Sequence, residues 1–523
     1  MDDPKRQLPW GEAIAVELPP GAPFLPQERW AWARIIRGER ADMRFFPKDA
    51  AAQAAGANGD DDGGGDDPKA AEKWPGHRDL SALFLRTILF HEPWANARAR
   101  PFVRIRCARF GEALDWENES FAGEIELSRS LFKRDVVWRG LTVGKLFDLQ
   151  GSRLEGALRA DGLVVEGDLF CREGFSAKGD IRLLGARVGG NAEFDGATLE
   201  GALRADRLVV EGGLFLRDIK KLNAANLFGA HVGQDLQLCG STIEGRVALT
   251  GAEIKGELNL AQSHGGGPKW GEKAHLVLRN AKAGALAGGL DAFRRGKKDF
   301  VRCDLAGFAY ARIGDLGAGA TGSTLAQADS KQLRRWLQAC CPPKDGFEPG
   351  PHRTLAHALA AAGYPSKAAD IRNELGNHEL AARGVKFSRR LVLWLSSLLI
   401  GYGERNHRAF FLFMLLVSAA AMVGYWQDLI SLPAASPAGW FDLRAWLDWA
   451  GFAFGNSIPL VVLDPAHATF LPDRFCIEPG ELQCAQPDIP FGLVGFFYSA
   501  KIVGFIILSY LAAGLTGIAQ RKD

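Results

Sequence analysis

GALRADGLVVEGDLF, residues 156–170, returns almost unchanged as GALRADRLVVEGGLF at residues 201–215. Four units of eleven residues plus one inserted residue separate the two. Laid out in elevens, the units begin at 123, 134, 145, 156 and 167, then at 179, 190, 201, 212, 223, 234, 245 and 256. The third residue of all thirteen is apolar, from Ile125, Val136 and Phe147 to Leu258. So is the fifth, from Leu127 and Trp138 to Leu260. Most tenth residues are apolar as well, among them Val143, Leu154, Val188, Leu199, Val210 and Ile254.

An eleven-residue apolar period also suits a right-handed helical supercoil, at 3.67 residues per turn. Glycine decides between the two folds. Of the twenty-six first and seventh positions, seventeen are Gly, and each would cost a helix about 1 kcal/mol relative to Ala. In a β-solenoid the same residues take the corners, where positive φ or close backbone approach is required. The third and fifth residues then point inward along one short strand, and the tenth reaches inward from the next side. Two units make one coil, and no unit can bury its apolar face without its neighbours. The chain is therefore read as a β-solenoid of eleven-residue half-coils over 123–320. A small α-helical adaptor (321–388) and an α-helical transmembrane module (389–523) follow.

Length and composition set the frame. With 523 residues there is room for several domains, and a net charge of +2 gives no global reason to expect nucleic acid. Apolar residues concentrate after residue 390, whereas Met1–Glu12 is polar and no signal peptide is read there. Cys107, Cys171, Cys239 and Cys303 are widely spaced and read as core-filling residues. With no CxxC pair and no Cys/His ligand spacing, neither a metal nor a cofactor is expected.

Ahead of the repeats, residues 1–75 are rich in Pro, Ala and Gly and are expected to be disordered. Within them Asn58, Asp60, Asp62 and Gly63 match the start of a calcium loop, but position twelve is Lys69 where a bidentate Glu is needed. Residues 76–122 are expected to hold a capping helix, over RDLSALFLRTILF (78–90), and a first strand at Phe102–Arg109.

Beyond Leu260 the register decays, and HLVLRNA (275–281) and DFVRCDLAGF (299–308) look like closing strands. GAGATG (317–322) satisfies GxGxxG without a βαβ context and is read as a Gly-rich linker. Residues 324–383 are helical in pattern. HRTLAHALAAAGYPSKAADIRNEL resembles one tetratricopeptide-type helix pair, expected to pack on the solenoid's end. His352 and His357 lie in it and are read as surface residues.

Arg389 and Arg390 precede LVLWLSSLLIGYG, too short to span and read as interfacial. Spans are expected at about 409–426 and 500–518, with an interfacial or re-entrant segment at 440–463 between them. Arg405 and Arg408 precede the first span, and Arg521 and Lys522 follow the last. The intervening loop carries only Arg444 and Arg474, so both termini are expected inside.

The eleven-residue units, LAGFAYARI (305–313), LAHALAAAGYPSKAADI and GYGERNHRA (401–409) together resemble a bacterial group of membrane-anchored β-solenoid proteins related to pentapeptide-repeat proteins. That resemblance covers about residues 78–523 and implies an inner-membrane location. Members of the group often carry the label of membrane-associated oxidoreductase, yet no cysteine pair, flavin loop or nicotinamide site occurs here to match it. The tail is also similar to the two-span, pore-loop module of simple ion channels, with WLDWAGFAFGNSIPLVVLD (446–464) at the filter position. No TxGYG follows that segment. The chain's only GYG, Gly401–Gly403, precedes the first span, which argues against a potassium filter.

Three functions remain open: an interaction scaffold on the membrane, an oligomeric pore gated by the solenoid, and an enzyme. No catalytic residue is assigned. Asn456, Ser457, Pro459, Lys501, Gly514 and Gly517 are the candidates for pore lining or assembly. Asn456 and Ser457 are polar groups in an apolar segment, and Lys501 is a charge in a span that could snorkel outward. Ala513 and Gly517, beside Gly514, offer a small-residue face for helix packing and a homo-oligomer. Cys476 and Cys484, in the loop expected outside, are expected to form a disulfide. An unknown protein partner is expected on the solenoid.

Overall fold

A computed structural model describes residues 18, 24–261, 266–296, 299–314, 324–342, 347–382, 384–426, 450–451, 453–458 and 491–516. The chain divides into two compact units, one of residues 1–342 and 348–368, the other of 343–347 and 369–523.

The first unit is a β-solenoid. Successive coils pair in parallel through Val103↔Ile125, Ile125↔Phe147, Phe147↔Leu169, Leu169↔Ala192, Ala192↔Leu214, Leu214↔Leu236 and Leu236↔Leu258. Partners lie 22 residues apart, or 23 across the insertion, so two elevens make one coil as expected. Most strands are two residues long, and a coil carries four of them, or three where two merge as in Thr198–Arg204 and Lys221–Asn226. The third and fifth residues of all thirteen units are buried. At about 1.5–3 kcal/mol for each fully buried large side chain, this repeated burial is what holds coil on coil. At the N-terminal end the filling is aromatic, with Trp116 stacked on Trp138 at 5.2 Å and Trp138 tilted on Phe147 at 4.7 Å.

The eighth residue also points inward, which the sequence did not announce. Leu141, Leu163, Leu208 and Ile219 are buried there, but so are Ser130, Ser152 and Ser241. The serines are satisfied inside the core: Ser152 Oγ donates to the Leu127 carbonyl at 2.7 Å and accepts from Ser130 N at 2.9 Å. Small polar residues at a core position hide its periodicity, although each hydroxyl finds a backbone partner in the preceding coil.

The two corner glycines act differently. At the seventh position the backbone is left-handed, as at Gly196 (φ 68°), and Arg129, Arg207 and Asp218 adopt the same conformation in other coils. At the first position φ is ordinary but the coil below is close: a Cβ on Gly201 would lie 2.2 Å from the Gly179 carbonyl oxygen. Beside that corner, second-position side chains replace a strand bond. Asp135, Asp168, Asp180, Asn191 and Asp235 each accept from a backbone N–H of the following coil at 2.7–3.0 Å.

Residues 24–75, expected to be disordered, are folded. Helix α1 (Pro26–Ile36) buries Trp30 and Ile35, and Ala41–Asp42 adds a strand to the solenoid edge through Ala41↔Ile105. Helix α2 (Ala50–Ala55) packs against α1, and α3 (Ala82–Phe90) forms where the capping helix was expected. The buried Glu28 carboxylate ties these together, accepting from Leu25 N, Ser81 N and Ser81 Oγ at 2.6–2.8 Å. Low overall hydrophobicity concealed the fold, because a few residues (Trp30, Met43, Trp74) carry its core. The calcium-like run is used otherwise: Asp62 pairs with the fully buried Arg78 and with His77.

At the other end the solenoid runs past Leu260, through Lys282–Ala287 to Ala309–Ile313, with Leu258↔Leu286 and Leu286↔Ile313 in register. Helices α4 (Ser330–Cys340) and α5 (Gly350–Ala361) close it. Trp336 tilts onto Phe293 at 5.0 Å, and Thr354 Oγ1 donates to the Phe308 carbonyl at 3.3 Å. His357 is exposed as expected, but His352 is buried in α5, because it falls on the same helix face as the buried Leu355 and Leu359. The GAGATG stretch lies outside the described residues.

Candidate functional site

In the second unit, α6 (Pro365–Ala381, most of which belongs here) leads to α7 (Phe387–Ile400), α8 (His407–Trp426) and α9 (Phe491–Leu515). His407–Gly424 and Gly495–Leu515 are apolar over 18 and 21 residues, each with mean hydropathy 1.7. At 1.5 Å per residue both are long enough to cross a hydrocarbon layer of about 30 Å, with allowance for tilt and flanking residues. The second of these starts earlier than the 500–518 expected, since the apolar face extends back to Gly495. Lys501 consequently lies six residues inside that window (501 − 495), half-buried.

GYG, quoted above as a filter in the wrong place, is an elbow. Gly401 ends α7 in the left-handed conformation (φ 52°), and Tyr402 follows at φ 56° with its side chain buried. The Tyr402 hydroxyl donates to Asn377 Oδ1 at 3.2 Å, and its ring fills the place a Cβ on Gly376 would need. Two ion pairs flank it. Arg372 reaches Glu404 at 2.5 and 3.1 Å, and Arg405 reaches Asp370 at 2.6 Å. With its amide nitrogen turned to the Gly401 carbonyl (2.7 Å), Asn373 also accepts from Arg405 Nε at 3.2 Å. One face of α6 thus holds the turn that opens α8. The sequence carried a signal in the Asp-x-Arg-Asn-x-x-Gly-Asn spacing of 370–377, but its partners lie some thirty residues away.

Between the span-length helices, Asn456 and Ser457 are fully buried beside Ala453, which joins Phe413, Val417 and Ile507 in one apolar cluster. Ser457 Oγ donates to the Ala453 carbonyl at 2.8 Å. The segment sits tightly on α9, where a Cβ on Gly504 would come within 1.9 Å of the Ser457 carbonyl oxygen. Gly514 also works inside the chain, since a Cβ there would meet Asn406 Oδ1 at 2.3 Å. Gly504 and Asn406 were not singled out from sequence; a lone Gly in an apolar helix was the available signal. Pro459, Gly517, Cys476 and Cys484, and most of 440–463, lie outside the described residues.

Helices α7, α8 and α9 also border an apolar groove of about 460 Å³, lined by Trp394, Leu398, Leu412, Leu415, Val503 and Ile506 among others. Among the described residues no group of three His, Cys, Asp or Glu side chains is placed to hold a metal ion. Compared with known proteins, the chain matches no family model, no curated protein and no solved structure.

Proposed function

We propose that the chain is a membrane-anchored interaction scaffold: a β-solenoid held at the bacterial inner membrane by two spans, both termini cytoplasmic. It presents its outward strand faces to a protein partner. The observation that carries this reading is the packed interior of the solenoid. Third, fifth, eighth and tenth residues fill it with side chains, so the chemistry available to a partner lies on the outside. There the coils carry ladders of ion pairs, such as Arg159–Asp135, Arg204–Asp180 and Arg182–Asp161 at 2.9–3.0 Å. Extended repeat surfaces of this kind suit protein recognition. The test is proximity labelling from the solenoid in living cells. A partner whose capture is lost on reversing Arg159, Arg182 and Arg204 to Glu supports the reading; capture that survives on the membrane helices alone contradicts it.

A second reading, an oligomeric pore gated by the solenoid, is favoured by one observation: Asn456 and Ser457 are polar residues buried between span-length helices. Polar groups at that depth mark ion or substrate paths by default. Two spans cannot enclose a pore alone, so oligomeric state in detergent separates the readings. A monomer by native mass spectrometry removes the pore.

A further inference from the structure

We infer that the groove bordered by α7, α8 and α9 is the seat of an acyl chain from an anionic phospholipid, whose headgroup is held by Arg390. The inference rests on the membrane reading above. Its first support is a stripe on α7. Phe387, Leu391, Trp394 and Leu398, at i, i+4, i+7 and i+11, are all exposed, Phe387 to 81%. That spacing is one face of a helix. A helix in water does not leave such a face uncovered, whereas one in contact with lipid does. The stripe runs directly into the groove, since Trp394 and Leu398 belong to both.

Charge supplies the second support and names the headgroup. Lys386, Arg389 and Arg390 occupy the start of α7 and are exposed, and FSRRLVLWLSSLLI contains no acid. Arg390 lies one turn before Trp394, hence on the same face. Arg389 is paired with Glu379 at 3.1 Å, which leaves Arg390, with Lys386 one turn before it, to carry the charge on the Trp394 face. Basic residues beside an apolar helix recognise anionic lipid. A phosphate held by Arg390 would leave an attached chain to follow Trp394 and Leu398 into the groove between α8 and α9. Zwitterionic lipid gains the same chain burial without the net charge.

Full-length protein reconstituted in phosphatidylcholine vesicles, with spin-labelled phosphatidylglycerol or spin-labelled phosphatidylcholine as the probe, tests this. The expected result is a motionally restricted component that favours phosphatidylglycerol by roughly fivefold or more, the size of one arginine's contribution near a charged surface. Arg390→Gln should bring the two lipids towards parity. Ala419→Trp, which fills the groove from α8, should remove the restricted component while the solenoid's thermal transition stays in place. Equal restriction of both lipids in the parent, or a component untouched by Ala419→Trp, overturns the inference. So does a cysteine crosslink between copies through Leu415→Cys, which would seat a second chain there. Protein that fails to float with the vesicles overturns the membrane reading itself, whereas floating protein without selectivity overturns only the lipid seat.

Discussion

Leu203 pairs in register with Ile181 and Ala225, one coil to either side, and is buried. Leu203→Ala should therefore cost about 2–5 kcal/mol. Arg204, the outward neighbour, makes a half-exposed ion pair with Asp180, and Arg204→Ala should cost at most about 1 kcal/mol. Thermal unfolding of the full chain, followed by circular dichroism, separates the two. The glycines divide the same way. Gly196→Ala meets only the left-handed backbone, about 1–2 kcal/mol, whereas Gly201→Ala drives a methyl group into the Gly179 carbonyl and should lower the midpoint further. If the two alanine variants melt together, the assignment of corner roles is wrong. Asp148 gives a pH dependence. Burial pushes its carboxyl up to about 6, and the nearby Glu126 charge adds to the rise. Between the unfolded value near 3.8 and about 6, the folded chain holds a proton that the unfolded chain has released, so this residue's contribution weakens stability as pH rises through that window. Asp148→Asn should gain on the order of 2 kcal/mol above pH 7 and almost nothing near pH 4. Denaturant midpoints of variant and parent at the two pH values check the sign.

The same α6 face that carries Asp370, Arg372, Asn373, Gly376 and Asn377 holds the 401–405 turn, and its parts differ in weight. Tyr402→Phe removes one hydrogen bond, worth about 1 kcal/mol, while Gly376→Val places carbon where the Tyr402 ring lies. Amide exchange over 369–381 should rise slightly in the first variant and strongly in the second. Unchanged exchange in Gly376→Val would dismiss the elbow. How legible each element was follows from the kind of signal it uses. The third and fifth positions repeat thirteen times and announce the solenoid, because a stacked fold imposes one environment many times. The eighth position stayed hidden behind Ser130, Ser152 and Ser241, whose hydroxyls each bond backbone of the preceding coil. Residues 24–75 misled because composition averages over a long stretch, while Glu28, Trp30 and Arg78 organise it through single contacts. Tyr402 and Gly376 are 26 residues apart (402 − 376), and no local pattern links them. Of the candidate site, Asn456 and Ser457 were legible as polar residues in an apolar run, but their buried packing against Gly504 was not.

A rod of stacked coils and a pair of span-length helices in one chain make a specific claim about place. The two apolar windows, His407–Gly424 and Gly495–Leu515, could cross a membrane, and the reading proposed above, with basic residues ahead of the first span, requires the solenoid to lie on the cytoplasmic side. The native cysteines among the described residues are poor reporters of that side, because Cys107, Cys171, Cys239, Cys303, Cys340 and Cys341 are all buried. Burial pushes the Cys341 thiol up to about 12, which further slows labelling. Glu200 is exposed on the solenoid, and Glu200→Cys supplies the missing reporter. The most direct measurement is labelling of this variant, with Cys476→Ser and Cys484→Ser added, by a membrane-impermeant maleimide, in intact cells and after permeabilisation, followed by alkaline carbonate extraction. Labelling is expected only after permeabilisation, with the protein retained in the membrane pellet. Labelling in intact cells, or release of the protein by carbonate, would contradict the proposed reading.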